Sequence, residues 1–345
     1  MTLQKQVVVI SGASAGVGRA TAIEFARKGA AVALLARSED GLAGAVRDVE
    51  AAGGTALAIP VDVADAAAVE AAAEHIEQSL GPINVWVNSA MVTVFSAFHE
   101  MPAEEFQRVT QVTYLGTVNG TRAALARMRP RNAGCIIQVG SALAYRGIPL
   151  QSAYCGAKFA IRGLTDALRA ELIYDKSAVH ITMVQLAAFN TPQFDWARHR
   201  LPAQPQPLPP VFQPEIAARA IVWSAAHRRR ELWVGFSSWK TILATQLFPG
   251  LSDKIAAKQA VSGQMDKPAS SSAPLPAPTL AARDDNLFTP LPGDHGAHGR
   301  FDDEAKSTSP ALWFSLHRRL VWSIIIVCVL AAIALLVGTE IWDEL

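Results

Sequence analysis

Three residues near the middle of the chain have the types and spacing needed to move a proton. Tyr154 and Lys158 are four residues apart, so a helix would place them on one face. Ser141 lies thirteen residues before Tyr154 and follows an apolar run, residues 135–140, that is typical of a buried strand. A lysine ammonium beside a tyrosine stabilises the phenolate and lowers a pKa that is otherwise about 10. We therefore expect Tyr154 to exchange a proton with a substrate oxygen that Ser141 also contacts.

A glycine-rich turn follows the first apolar run, residues 7–11. Its glycines let the backbone turn sharply and approach a pyrophosphate, and the helix that begins there offers free N–H groups and a partial positive charge. A glycine turn by itself is a weak signal, but its place between a strand and a helix strengthens it. The turn therefore predicts a site for dinucleotide phosphates. The candidate cofactor residues here are Gly12, Ser14, Ala15, Gly16, Val17 and Gly18.

The end of the second apolar run, residues 31–36, predicts which dinucleotide binds. Dinucleotide-binding proteins that prefer NAD place an acidic residue here, which accepts hydrogen bonds from the ribose hydroxyls. In this chain Ala36 leaves room, and Arg37 supplies a guanidinium fork for a 2′-phosphate. Ser38 adds a hydroxyl at the same place. The sequence therefore predicts NADP(H) as the cofactor.

Short apolar runs alternate with amphipathic segments from the N-terminus to about residue 250. Apolar runs separated by helical segments indicate a parallel sheet that is buried on both faces. Ser141, the glycine turn and Arg37 each follow such a run, so we expect them at the carboxyl edge of the sheet, where ligands of open α/β sheets bind. A proline-rich stretch, residues 201–210, interrupts the pattern and is expected to form a loop over this edge.

The order of these elements and motifs resembles the short-chain dehydrogenase/reductase family over roughly residues 5–235. The resemblance implies an α/β fold with a Rossmann-type, doubly wound parallel sheet of about seven strands and helices on both faces. It also implies that Asp62 bonds the adenine amino group and that Thr191 contacts the nicotinamide carboxamide. The cofactor-binding residues that the resemblance adds are Asp62, Val63, Asn88, Ala90, Tyr154, Lys158 and Thr191.

The chain departs from the family's pattern at several positions, among them Thr113, Ser89, Met91 and the Leu186-Ala187 pair, which stands where the family usually has Pro-Gly. The family has a catalytic asparagine that should fall at Thr113, so we count Thr113 with Ser141, Tyr154 and Lys158 as a candidate catalytic residue. A threonine holds a water through its hydroxyl but lacks the amide, so the water relay behind the lysine is expected to change. The family also has a glycine where this chain has Met91, and the larger side chain should crowd the nicotinamide-ribose site.

The C-terminal third of the chain changes in composition. We expect a dinucleotide-binding domain over residues 1–250 and a flexible linker rich in proline, alanine and serine over residues 251–318. Residues 319–341 form an apolar run long enough to cross a bilayer as a helix. Basic residues precede this run and acidic residues follow it, so we expect a single-pass membrane protein whose catalytic domain faces the cytoplasm.

Composition excludes several classes of site. The formal net charge is +1, which argues against a nucleic-acid partner. The three cysteines are far apart in the sequence, so neither a disulfide framework nor a thiolate metal site is expected. His295 and His298 have a spacing that could suit a metal, but they lie in a polar, glycine-rich stretch and we expect no metal site.

These observations predict an NADP(H)-dependent oxidoreductase that interconverts a carbonyl and an alcohol. The alternative is a non-catalytic, membrane-tethered NADP(H)-binding sensor or scaffold, which the changes at Thr113 and Met91 would allow. A nucleotide-sugar epimerase on the same fold is disfavoured by the glycine spacing. We expect a homodimer or homotetramer and a small, lipophilic carbonyl or alcohol substrate. The aromatic residues that could line its pocket are Phe95, Phe98, Tyr145, Phe194 and Trp196.

Overall fold

A seven-stranded parallel sheet forms the centre of the protein in the computed structural model, with strand order β11-β7-β6-β4-β1-β2-β3. The structure describes residues 3–266 and 284–318, together with positions 321, 323, 326, 327, 329 and 330. The strands are β1 (Val7–Ser11), β2 (Ala31–Ala36), β3 (Thr55–Pro60), β4 (Ile83–Asn88), β5 (Val94–Phe95), β6 (Cys135–Ser141), β7 (His180–Leu186), β8 (Ala188–Phe189), β9 (Arg198–His199), β10 (Val211–Phe212) and β11 (Glu231–Trp233).

Helices cover both faces of this sheet, as the uninterrupted apolar runs predict. They are α1 (Gly16–Ala26), α2 (Glu39–Ala51), α3 (Ala66–Leu80), α4 (Ala103–Val109), α5 (Gly116–Met128), α6 (Ser152–Tyr174), α7 (Gln193–Trp196), α8 (Pro214–Ala226), α9 (Phe236–Leu247), α10 (Pro249–Gly263) and α11 (Pro310–Leu316). Val8 and Ile10 of β1 pack towards α1, α2 and α8, whereas Val7 and Val9 pack towards α3 and α5. The prediction of a doubly wound parallel α/β sheet is confirmed.

Two irregular segments lie between the regular elements of the domain. A π-helical turn, Thr110–Leu115, separates α4 from α5. The proline-rich stretch is closed at its base because β8 pairs with β10. Gln206 to Pro210 then border the large cavity at the sheet's carboxyl edge, which agrees with a loop over that edge.

The fold continues past the expected domain boundary at residue 250. Helix α10 begins at Pro249, and α11 packs against α8 through Leu312. Residues 284–306 run along the domain and make many polar contacts with it, which are described below. The described parts of residues 251–318 are therefore folded onto the domain, which corrects the prediction of a flexible linker, while residues 267–283 lie outside the described residues.

The predicted membrane anchor is not supported. Among the residues that the structure describes, no helix has both the length and the apolar character needed to cross a bilayer. This finding overturns the localisation predicted from the sequence, a single-pass membrane protein with its domain facing the cytoplasm, because that prediction depended on a span at residues 319–341. Most of those residues lie outside the described part of the chain.

Candidate active site

The carboxyl edge of the sheet carries the predicted catalytic residues around one cavity of about 800 Å³. Ser141 is the last residue of β6, and the first turns of α6 carry Tyr154 and Lys158. All three residues line the cavity. The sequence spacing therefore reflects a real proximity, because a strand end and a helix start converge on one side of the same cleft.

Short contacts hold the three side chains in place. Ser141 shares a hydrogen bond with the Tyr154 phenol and accepts a second bond from the Leu143 N–H at 3.1 Å. Lys158 is buried, donates to the Val139 carbonyl at 2.7 Å, and lies with its Nζ 5.4 Å from the centre of the Tyr154 ring. The serine and the lysine thus approach the tyrosine from different sides.

The charge states of this group differ from the sequence-based expectation. Burial, and after it the nearby Cys155 thiol, raise the pKa of Tyr154, and the hydrogen bond to Ser141 only partly opposes them. Burial also lowers the pKa of Lys158 to about 8. The expected lowering of the tyrosine pKa is therefore not found, because the cost of burying a phenolate is larger than the stabilisation it receives here. Tyr154 is a neutral phenol at physiological pH and can donate a proton.

The glycine turn packs directly against the end of β4. Gly12 has a φ of +72°, and a Cβ at this position would lie 2.7 Å from the Ala90 Cα. Only glycine fits both the backbone conformation and the contact. Most of the predicted cofactor residues line the same cavity as Ser141: Gly12, Ser14, Ala15, Gly16, Val17, Gly18, Arg37, Asp62, Val63, Ala90, Tyr154, Lys158 and Thr191.

Asn88 lies at the end of β4 but does not border the cavity. Its amide nitrogen donates to Thr121 at 3.1 Å and to Gln138 at 2.9 Å, and its oxygen accepts from the Trp86 indole at 2.9 Å. Asn88 and these three partners form a buried polar cluster. The structure therefore places Asn88 as a support for the strand ends rather than beside the cofactor residues.

Thr113 is also absent from the cavity wall and is fully buried. Its hydroxyl donates to the Val92 carbonyl at 3.1 Å and accepts from the Val92 N–H at 3.2 Å. These two hydrogen bonds connect the π-helical turn to the segment that follows β4. Thr113 thus holds the backbone at Val92 in place. Met91, the residue before Val92, lines the cavity.

We expect Thr113→Val to lower the free energy of unfolding by about 1–3 kcal/mol, because both backbone groups of Val92 would stay buried without a partner. The measurement is urea unfolding followed by circular dichroism. Thr113→Ser keeps the hydroxyl and is the matched control. Equal stability of Thr113→Val and the parent would show that the pair contributes nothing.

Arg37 and Asp62 face partners that sequence reasoning missed. Arg108 pairs with the Asp62 carboxylate. Burial raises the pKa of Asp62, but the hydrogen bond from the Ala64 N–H and the contact with Arg108 outweigh it and leave this pKa lowered. Burial, followed by the charge of Arg108, lowers the pKa of Arg37. The Arg37 guanidinium donates to three backbone carbonyls far along the chain, those of Asn286, Leu287 and Phe288. No sequence motif marks these carbonyls, since any residue type can supply one.

Only part of the predicted aromatic set borders the cavity. Phe194 and Trp196 line it, whereas Phe95 is buried against Phe194 in a separate cluster. Phe98 is 70% exposed, and the Tyr145 hydroxyl donates to Glu231 at 2.6 Å.

Ser38 borders a second, smaller cavity of about 70 Å³ beside Arg37.

The sequence profile of the short chain dehydrogenase family matches residues 6–200. The chain belongs to this family. It is 34% identical over 258 residues to the uncharacterized oxidoreductase YxnA of Bacillus subtilis (strain 168), covering 74% of this chain and 72% of that protein. It is 32% identical over 226 residues to the 3-ketodihydrosphingosine reductase of Bos taurus, covering 63% and 68% of the two chains.

A solved structure with the same architecture is a metagenomic short-chain oxidoreductase in complex with NADP. It superposes with a TM-score of 0.58 at 26% sequence identity and covers 68% of this chain and 98% of its own. The protein is therefore an oxidoreductase of the short-chain dehydrogenase family that acts on a small-molecule substrate.

Proposed function

We propose that the protein is an NADP(H)-dependent reductase of carbonyl compounds, running in reverse as an alcohol dehydrogenase. The observation that carries this proposal is the convergence of Ser141, Tyr154 and Lys158 on the cavity that the glycine turn also lines. A protein that only binds a dinucleotide has no need of a phenol, a hydroxyl and an ammonium grouped at one end of the cleft. The non-catalytic alternative is therefore disfavoured.

The residues at the other end of the cavity fit an NADP(H) molecule. The glycine turn lies at the N-terminus of α1, whose partial positive charge favours a pyrophosphate. The Gly16 N–H already donates to the Gly296 carbonyl, so the other backbone N–H groups of this turn would meet the pyrophosphate. Arg37 and Asp62 stand at the ends of neighbouring strands and would recognise the 2′-phosphate and the adenine amino group. The solved relative in complex with NADP supports this assignment for the family's fold, and Arg37 is the residue that supports it in this chain.

Each catalytic residue has one task in the proposed reaction. When bound, the nicotinamide supplies or accepts the hydride at the substrate carbon. Tyr154 donates its phenolic proton to the carbonyl oxygen during reduction and takes it back during oxidation. Ser141 donates a hydrogen bond to the same oxygen and keeps it within reach of Tyr154. Lys158 stabilises the phenolate that forms on Tyr154, which is otherwise costly in this buried site.

The substrate class that best fits the cavity is a lipophilic ketone. Apolar side chains cover much of its wall beyond the catalytic group, and α10 contributes to it. These wall residues are Leu143, Ile148, Phe194, Leu208, Ile255 and Ala256. The similarity to a 3-ketodihydrosphingosine reductase supports a ketone that carries a long alkyl chain.

A series of 3-ketones with increasing alkyl chains tests this assignment, with NADPH consumption as the readout. We expect kcat/KM to rise about fourfold per added methylene until the cavity is filled, because each buried methylene is worth about 0.8 kcal/mol. Equal kcat/KM values for short and long ketones would contradict the lipophilic pocket. The absence of NADPH consumption with every ketone would contradict the proposed function.

The pH dependence of reduction should follow Lys158. Its pKa is lowered to about 8 by burial, so its charge is present below that pH and lost above it. Because the charge stabilises the phenolate that forms on Tyr154, kcat/KM should fall above about pH 8, approaching tenfold per pH unit. Initial rates across the pH range measure this fall.

Lys158→Arg is the matched variant for the pH profile, because arginine keeps its charge throughout the accessible range. Its rate will be lower overall, but the fall above about pH 8 should disappear. A parent profile that stays flat from about pH 7 to about pH 10 would show that the ammonium has no such role.

A further inference from the structure

Residues 284–301, which we call the strap, run across the outer side of the cofactor end of the cleft. Near its start, the carbonyl groups of residues 286–288 accept hydrogen bonds from Arg37. In its middle, Asp294 pairs with Arg19 and Arg47 of the two helices beside the glycine turn. The Gly296 carbonyl accepts a hydrogen bond from the Gly16 N–H at 3.1 Å. The strap is thus attached to one lip of the cleft at three places.

The end of the strap is attached to the opposite lip. Arg300 pairs with Asp195, and the Phe301 N–H donates to Asn190 at 3.0 Å. Gly299 lies so close to the Thr191 carbonyl that a Cβ there would be 2.5 Å from its oxygen. Since Thr191 belongs to the predicted nicotinamide side and Arg37 to the adenosine side, the strap bridges the two sides of the cleft.

Space remains beneath the strap. The cavity of about 800 Å³ extends from Ser141 to Arg37 and Asp62, and the strap contributes only Asn286 to its wall. The second cavity, of about 70 Å³, has Ser14, Arg37 and Ser38 on one side. Its other side is formed mostly by the strap, through Asn286, Pro290, Leu291, Gly293 and His295.

We propose that the strap is the outer wall of the NADP(H) site, closing over the adenosine half of the cofactor beside Arg37 and Ser38. This inference rests on the proposed function. The strap does not fill the cleft, because the large cavity stays continuous between Ser141 and Arg37. The strap must detach from one lip before a dinucleotide enters or leaves, so it controls the rate of cofactor exchange.

The anchor at Asp294 is the point where the strap can be loosened without touching the cofactor residues. Its carboxylate meets Arg19, whose side chain is 4% exposed and also pairs with Asp48. The contact is close on the domain side too, since a Cβ on Gly44 of α2 would overlap the Asp294 carboxylate. Asp294→Ala removes the anchor, and Gly44→Ala displaces it while adding a residue that favours helices.

The experiment measures NADPH release from the full-length protein by stopped-flow fluorescence, with excess NADP⁺ as the displacing ligand. We expect both Asp294→Ala and Gly44→Ala to raise the dissociation rate and the Kd of NADPH by about tenfold, as for the loss of a charged hydrogen bond. The control is Asp303→Ala, which removes an exposed carboxylate just beyond the strap and should change neither value. Thermal unfolding checks that each variant is folded.

Each other outcome overturns the inference. Tighter binding in Asp294→Ala would mean that the strap competes with the cofactor instead of covering it. Unchanged release in both folded variants would mean that the strap does not gate exchange, while the proposed reductase function would stand. If one of the two variants fails to fold, the NADPH release rate of the other variant decides whether the strap gates exchange. A parent protein that binds no NADPH would remove the proposed function and this inference together.

Discussion

Tyr154→Phe should reduce kcat for ketone reduction by at least about 10²-fold, the low end for losing a positioned acid–base group. The phenol is the one group that the proposal assigns to protonate the carbonyl oxygen, and Ser141 has no acidic proton to replace it. The affinity for NADPH should change little, because the ring that lines the cavity remains. Steady-state kinetics and a fluorescence titration with NADPH measure the two quantities.

Tyr145→Phe is the matched control for this variant. Tyr145 lies four residues after Ser141, but its hydroxyl bonds Glu231 and it does not line the cavity. Removing that hydroxyl should leave kcat within a few-fold of the parent, at a small cost in stability. A Tyr154→Phe enzyme that turns over at nearly the parental rate would mean that another group donates the proton.

Arg37→Ala should weaken NADPH binding by about 1.5–3 kcal/mol, the range for a hydrogen bond to a charged group. The expected cause is the loss of the guanidinium that would recognise the 2′-phosphate. Arg37 also bonds the strap carbonyls, so part of any loss will be shared by cofactors that lack the phosphate. Isothermal titration with NADPH and NADH separates the two parts.

The NADH titration is therefore the internal control, and Arg129→Ala, an exposed arginine paired with Asp175, is the control for charge removal. The parent should bind NADPH more tightly than NADH, and the variant should lose most of this difference. Equal affinities of the parent for the two cofactors would contradict the assignment of Arg37.

The sequence predicted the positions of the three proposed catalytic residues because these positions depend on local structure and simple topology. Two residues four positions apart lie on the same face of a helix, and the carboxyl ends of parallel strands meet at one edge of the sheet. Ser141, Tyr154 and Lys158 needed no further information. The apolar runs of β1 and β6 likewise predict that both faces of these strands are buried, as the structure shows.

Side-chain direction was harder to predict than backbone position. Asn88 sits at the expected strand end, yet its amide points to Thr121 and Gln138. Thr113 sits on the expected helical segment, yet its hydroxyl bonds the Val92 backbone. Both outcomes depend on which neighbours surround the side chain, and those neighbours are distant in sequence.

The strap could not be predicted from composition, because its polar and glycine-rich sequence is the usual sign of an unfolded linker. Its order comes from contacts with residues about 100 to 275 positions earlier, such as the Asp294 pair with Arg19 and the Phe301 bond to Asn190.

The most direct test of the proposed reaction is a hydride-transfer measurement with NADPH that carries two deuterium atoms at C4 of the nicotinamide, so that the transferred hydride is labelled whichever face it leaves. The full-length protein is incubated with a long-chain 3-ketone and this cofactor, and the product is analysed by mass spectrometry. We predict an alcohol with one deuterium on the carbinol carbon, formed by the parent and lost in Tyr154→Phe. A parent protein that binds NADPH but forms no deuterated alcohol from any ketone in the series would contradict the assignment of this site as a carbonyl reductase.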